Sequence, residues 1–89
     1  MRAVITVIGK DMVGLLARVS TVCANHGANV MDVSQSIMQG LFAMIITVDL
    51  TGCNVPFSEL QDELNKVGEE LGLSIHAMHE DIFNSMHRI

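Results

Sequence analysis

Gly9, Lys10, Asp11 and Gly14 lie close together between an apolar, β-branched run ending at Ile8 and an amphipathic helical pattern that begins at Leu15. A strand that hands the chain to a helix N-terminus aims unpaired backbone N–H groups at whatever occupies the loop. The helix dipole adds partial positive charge at the same place. Such a corner suits a carboxylate or another small anion. Gly14 permits the tight turn, lets a ligand approach the backbone closely, or does both. Asp11 reads first as the helix N-cap; as a ligand contact, its carboxylate would take an ammonium. Lys10 reads as the only cation near the corner and would pair with a ligand carboxylate, although a lone exposed lysine is ordinarily just solvated.

The remaining reactive side chains point to less. His76 and His79 are an odd number apart on a strand pattern and so face opposite ways. His26 falls at a helix end, where the C-terminal dipole accounts for it, and His87 is in the tail. There is no H-x-x-x-H and no Cys/His quartet, so no metal and no cofactor is expected within one chain, and only a metal site assembled between subunits stays open. Cys23 lies in a helical apolar stripe and Cys53 in a loop; both are expected free. Without a nucleophile elbow, a P-loop or an evident nucleophile–base pair, the chain is not expected to be an enzyme.

Composition narrows the partners. The 89 residues are 49% hydrophobic and only 17% charged, apolar for so small a domain, so self-association as a homodimer or larger is the expected outlet. With 5 basic against 10 acidic residues the formal charge is -5, which argues against nucleic acid. The first apolar run is broken by Gly9-Lys10-Asp11, so no signal peptide is expected. No run approaches the ~20 residues needed to span a bilayer. A cytoplasmic protein with no membrane partner is expected.

The elements that would position the corner follow from periodicity. Residues 2–8 read as a central strand, apolar on both faces. Leu15, Val19, Val22, Cys23 and His26 form a helical stripe closed by Gly27. Residues 29–38 read as an edge strand, with a bulge near Asp32 because Val30 and Val33 cannot otherwise share a face. Gln39-Gly40 turns into a third strand, residues 41–50, with Phe42, Met44, Ile46, Val48 and Leu50 on one side and Leu41, Ala43, Ile45, Thr47 and Asp49 on the other. A second helix opening near Ser58 carries the stripe Phe57, Leu60, Leu64, Val67 and Leu71; its acidic opposite face reads as an ordinary solvated surface. A fourth strand, 73–79, and a short terminal helix, 80–87, complete the order. Right-handed crossovers then predict an α+β, ferredoxin-like βαββαβ sandwich: a four-stranded antiparallel sheet, two helices on one face, and a bare second face carrying Val4, Thr6 and Ile8 or their alternates.

With this topology, the run G-K-D-M-V-G-L-L-A-R-V and the later G-A-N-V-M-D-V-S-Q (Gly27 to Gln35) resemble the ACT domain family, small regulatory ligand-binding modules of amino-acid metabolism. Residues 1–89 are expected to form one such domain. It is most similar to stand-alone single-ACT proteins and to the ACT modules of the glycine cleavage repressor and formyltetrahydrofolate deformylase. The resemblance implies a dimer in which edge strands pair across a two-fold axis. It also implies a pocket between the first loop of one subunit and the second strand of its partner. The positions that match are Lys10, Asp11, Met12, Val13 and Gly14 from the loop, and Asn29, Asp32 and Gln35 from the strand. The function expected is therefore a regulatory module binding an amino acid or related small molecule. The alternative is an adaptor that regulates a partner enzyme through a strand edge or the bare sheet face and binds no metabolite.

Overall fold

The strand that is apolar on both faces lies inside the sheet. The computed structural model describes residues 1–10 and 14–86. In it β1 (Arg2–Gly9) is hydrogen-bonded on one side to β3 (Leu41–Asp49) and on the other to β4 (Ser74–His79). β2 (Asn29–Met38), the polar strand, pairs only with β3 and takes the opposite edge, giving the order β2-β3-β1-β4 with every neighbour antiparallel. This is the ferredoxin-like βαββαβ arrangement followed by a short terminal helix.

The expected bulge is present: Val30 pairs with Val48 and Asp32 with Thr47, so Met31 is the extra residue. It resets the alternation so that Val30 and Val33 both face the helices, beside Val48 and Ile46. The connections carry the remaining geometry. α1 (Leu15–Asn25) ends with Gly27 at φ +76; Gly27 N–H donates to the Ala24 carbonyl at 3.2 Å and Ala28 N–H to the Cys23 carbonyl at 2.9 Å. This pair of bonds is the Schellman closure that a left-handed glycine makes accessible. Gly72 (φ +70) closes α2 (Phe57–Leu71) with the same bond pattern.

The core lies between the sheet and the two long helices. Ala3, Ile5 and Val7 of β1, Met44, Ile46 and Val48 of β3, and Ile75 of β4 meet Leu15, Val19 and Cys23 of α1 and Leu60, Leu64 and Val67 of α2, all buried. The opposite sheet face is not entirely bare, contrary to expectation. α3 (Glu80–Met86) turns back across it, so Val4 is only 3% exposed while Ile8, on the same strand face, is 49% exposed.

Candidate functional site

The corner after β1 rests on two glycines for different reasons. A Cβ on Gly9 would lie 1.9 Å from Leu73 Cδ2, so that glycine admits the leucine packed across the end of the sheet. Gly14 has φ +74, a conformation that L side chains rarely adopt, and a Cβ built there would meet nothing within 4 Å. Gly14, not Asp11, is the N-cap residue of α1. Among the described residues no side chain caps this terminus, and its first turn carries no acidic residue. The first helical bond is Arg18 N–H to the Gly14 carbonyl at 3.0 Å, leaving the N–H groups of the preceding turn without helical partners. Asp11, Met12 and Val13 lie outside the described residues.

A groove of about 520 Å³ runs from Gly14 between α1 and α2, lined by Ala17, Arg18, Thr21, Val22, Val67 and Leu71. Lys10 is exposed on the strand side of the corner. Arg18 is therefore a second cation at this site, one helical turn above Gly14, and its guanidinium is bonded to the Glu70 carboxylate of α2. Spacing from Gly14 could have identified it, since residues four apart on a helix share a face. The acidic face of α2 is correspondingly not a purely solvated surface: Glu70 holds Arg18, and Glu63 holds His26.

The candidates on β2 are spread along the strand. In register, Asn29 shares a row with Asp49 and Arg2, Asp32 with Thr47 and Val4, and Gln35 with Met44 and Val7. At ~3.4 Å per residue, Asn29 lies ~24 Å from the Gly9 row and Asp32 ~17 Å. Gln35 lies about 7 Å along the sheet and ~10 Å across it. Within one chain only Gln35 approaches the corner, and its side of the sheet is the helix side, opposite to that of Asp32.

Several other polar groups form structural contacts. His26 Nε2 lies 2.5 Å from Glu63 Oε2 and Nδ1 lies 3.3 Å from Asn54 Oδ1, so the ring ties the end of α1 to α2 and to the loop after β3. The Glu63 bond, helped by Asn54 and resisted by desolvation, raises the His26 pKa above its ordinary 6.5. Asp49 is held below the usual carboxylate range by hydrogen bonds from the Thr51 hydroxyl and N–H. His76 and His79 face opposite sides: Ser74 Oγ lies 3.1 Å from His76 Nε2 on the open face, while His79 stacks on Phe57 with centroids 4.5 Å apart. Cys23 and Cys53 are free, and burial pushes the Cys23 thiol up to about 11. Among the described residues no group of three or more His, Cys, Asp or Glu could hold a metal, and no helix is long and apolar enough to cross a membrane.

Comparisons with known proteins agree with this fold. A sequence model of the ACT domain matches residues 2–78. A UPF0237 protein of Methanocaldococcus jannaschii is 51% identical over 88 residues, covering 99% of this chain and 98% of that protein. Among solved structures, an ACT domain protein from Streptococcus pneumoniae superposes with a TM-score of 0.79 at 35% identity, over 93% of each chain. The regulatory subunit of aspartate kinase from Thermus thermophilus, in a ligand-free form, gives 0.63 at 25% identity over 86% of this chain and 50% of that one. A formyltetrahydrofolate deformylase from Pseudomonas syringae shares the fold, with a TM-score of 0.75 at 20% identity over 88% of this chain and 27% of that one.

Proposed function

The chain belongs to the ACT domain family, and from that premise we propose that it is a regulatory module whose corner at Gly14 receives the carboxylate of an amino acid or a related metabolite. ACT domains are regulatory ligand-binding modules. One observation carries the carboxylate assignment: α1 begins at a left-handed glycine whose side-chain space is open, with an N-terminus that no described side chain caps. Backbone N–H groups and the dipole then await an anion.

The pocket spans two subunits. Lys10, Asp11, Met12, Val13 and Gly14 come from one chain, and Asn29, Asp32 and Gln35 from the β2 edge of its partner. The register supports the division, because Asn29 and Asp32 are too far along the sheet to reach the corner of their own chain. The exposed β2 edge pairs across the two-fold axis, so ligand binding and dimerisation are thermodynamically linked. Free Cys23 and Cys53 suit a reducing compartment, and we place the module in the cytoplasm.

A thermal-shift panel of the amino acids, followed by calorimetry on any that act, tests the reading. A specific ligand should raise the melting temperature and bind with one site per corner. Indifference to the whole panel would favour the adaptor that regulates an enzyme without binding a metabolite.

A further inference from the structure

The sheet face opposite the long helices carries a feature that the carboxylate corner does not use. α3 lies over the β1–β4 half of that face and stands beside a groove of about 580 Å³ whose floor includes Thr6, Ile8, Ala43 and Ile45 and whose wall includes Phe83 and Met86. Ile8 and Ile45 are 49% and 37% exposed, and the outer stripe of the ridge, Ile82 and Met86, is 53% and 66% exposed. A raised apolar ridge and the uncovered apolar stripe Leu41, Ala43 and Ile45 of β3, bordered by Ser34 and Ser36 of β2, fit one another on the same face, and they meet only between molecules. A two-fold axis parallel to the strands, set between two facing sheets, lays each ridge on the other copy's uncovered half. Such a contact is isologous and closes at two subunits.

Charge and area favour a second copy over a small ligand. The rows through Thr6 and Ile8, from β4 across to β2, contain no Asp, Glu, Lys or Arg; Arg2, Asp49 and Asp32 lie toward one end of the same face. An uncharged centre with charges at its margin is the anatomy of a protein interface. A molecule seated in the groove would leave Ile82 and Leu41, which lie outside it, in water. Four strands at ~4.8 Å and eight residues at ~3.4 Å give a face of ~500 Å² in projection, before the flanks of α3 are added. The sheet alone gives somewhat under two-thirds of the ~800 Å² each partner contributes to a standard interface, and the flanks of α3 would have to supply the rest. The chain's surface of 5577 Å² also exceeds the ~5100 Å² expected for a folded monomer of 9.7 kDa.

We propose that two copies of this chain stack open face to open face, each α3 ridge filling the groove side of the other. This interface is separate from the β2 edge pairing proposed above and compatible with it, since one uses the sheet edge and the other its face. Sedimentation velocity at micromolar concentration tests it, with circular dichroism as the check on folding. The deciding variant is Ile82→Glu/Met86→Lys, which places an opposite-charge pair at i, i+4 spacing and so supports α3 while charging the ridge. A wild-type dimer or tetramer whose mass falls by half in this variant, with unchanged dichroism, is the expected result. Ile45→Lys should do the same from the floor of the groove. An unchanged mass in the ridge variant would overturn the face-to-face contact and leave the edge-paired dimer standing. A monomeric wild type would overturn it as well, and a monomer that bound the dye ANS in the groove would reassign the site to a small apolar ligand.

Discussion

Gly14 sets backbone conformation and ligand access against each other, and two substitutions separate them. Gly14→Val forces a β-branched residue to φ +74, which should cost ~1–3 kcal/mol of stability whatever the ligand does. Gly14→Asn tolerates the left-handed conformation but fills the open space, so it should hold the fold and weaken ligand binding tenfold or more. That loss corresponds to a charge-assisted bond worth ~1.5–3 kcal/mol. Calorimetry on both, against the ligand found in the amino-acid panel, would measure the split; full affinity in a folded Gly14→Asn protein would move the pocket elsewhere. His26 makes a second prediction. Its folded pKa is raised by Glu63 and Asn54 above the ordinary 6.5, so its stabilisation is complete below that value and fades as pH climbs through the raised one. Melting temperature should therefore fall across this window, and His26→Gln should flatten the fall. Neither the His26 clasp nor the Arg18–Glu70 bond was legible in the sequence. Each joins residues far apart in the chain, and helical periodicity shows which face a residue shares but not what crosses to meet it.

Among the elements, what alternation encodes was legible and what register encodes was not. Val30 and Val33 demanded a bulge, and Met31 supplies it; the apolar faces of residues 2–8 marked a central strand, and β1 is one. The helix start was less so, because an N-cap expectation rests on side-chain chemistry and the cap of α1 is a backbone conformation at Gly14. Asn29, Asp32 and Gln35, which the family resemblance implies as pocket residues, are spaced by the strand over its length and across both faces, a spread that register shows and a motif match does not. The Gly27 closure shows how tightly one connection is constrained. A Cβ there would lie 2.3 Å from the Gly52 carbonyl oxygen, at φ +76. Gly27→Ala should cost at least ~2 kcal/mol, since left-handed strain and a backbone clash act together. The urea midpoint would report it, and a shift under half that size would mean the loop at Gly52 yields freely.

For the whole molecule, a sheet with long helices on one face and a half-covered second face ties the proposed association to the fold's energetics. The principal extents of 37 × 34 × 19 Å describe a slab rather than a sphere, so two stacked sheets would bury surface that one chain leaves wet. Concentration dependence of melting tests this without any mutation. A chain of 89 residues has an unfolding entropy of ~0.19 kcal/mol/K, from ~2.1 cal/mol/K per residue. A dimer that dissociates as it unfolds carries twice that. A tenfold rise in concentration adds about 1.5 kcal/mol of mass-action stabilisation per dimer near 60 °C, which moves the midpoint by ~4 °C. For a tetramer joined through both the β2 edge and the open face, three such increments act on four chains' entropy and the shift is ~6 °C. A lone monomer shows none. Calorimetric scans at two concentrations tenfold apart would distinguish the three cases. A midpoint that stayed fixed would mean the apolar face is tolerated in water and the association argued from it does not occur.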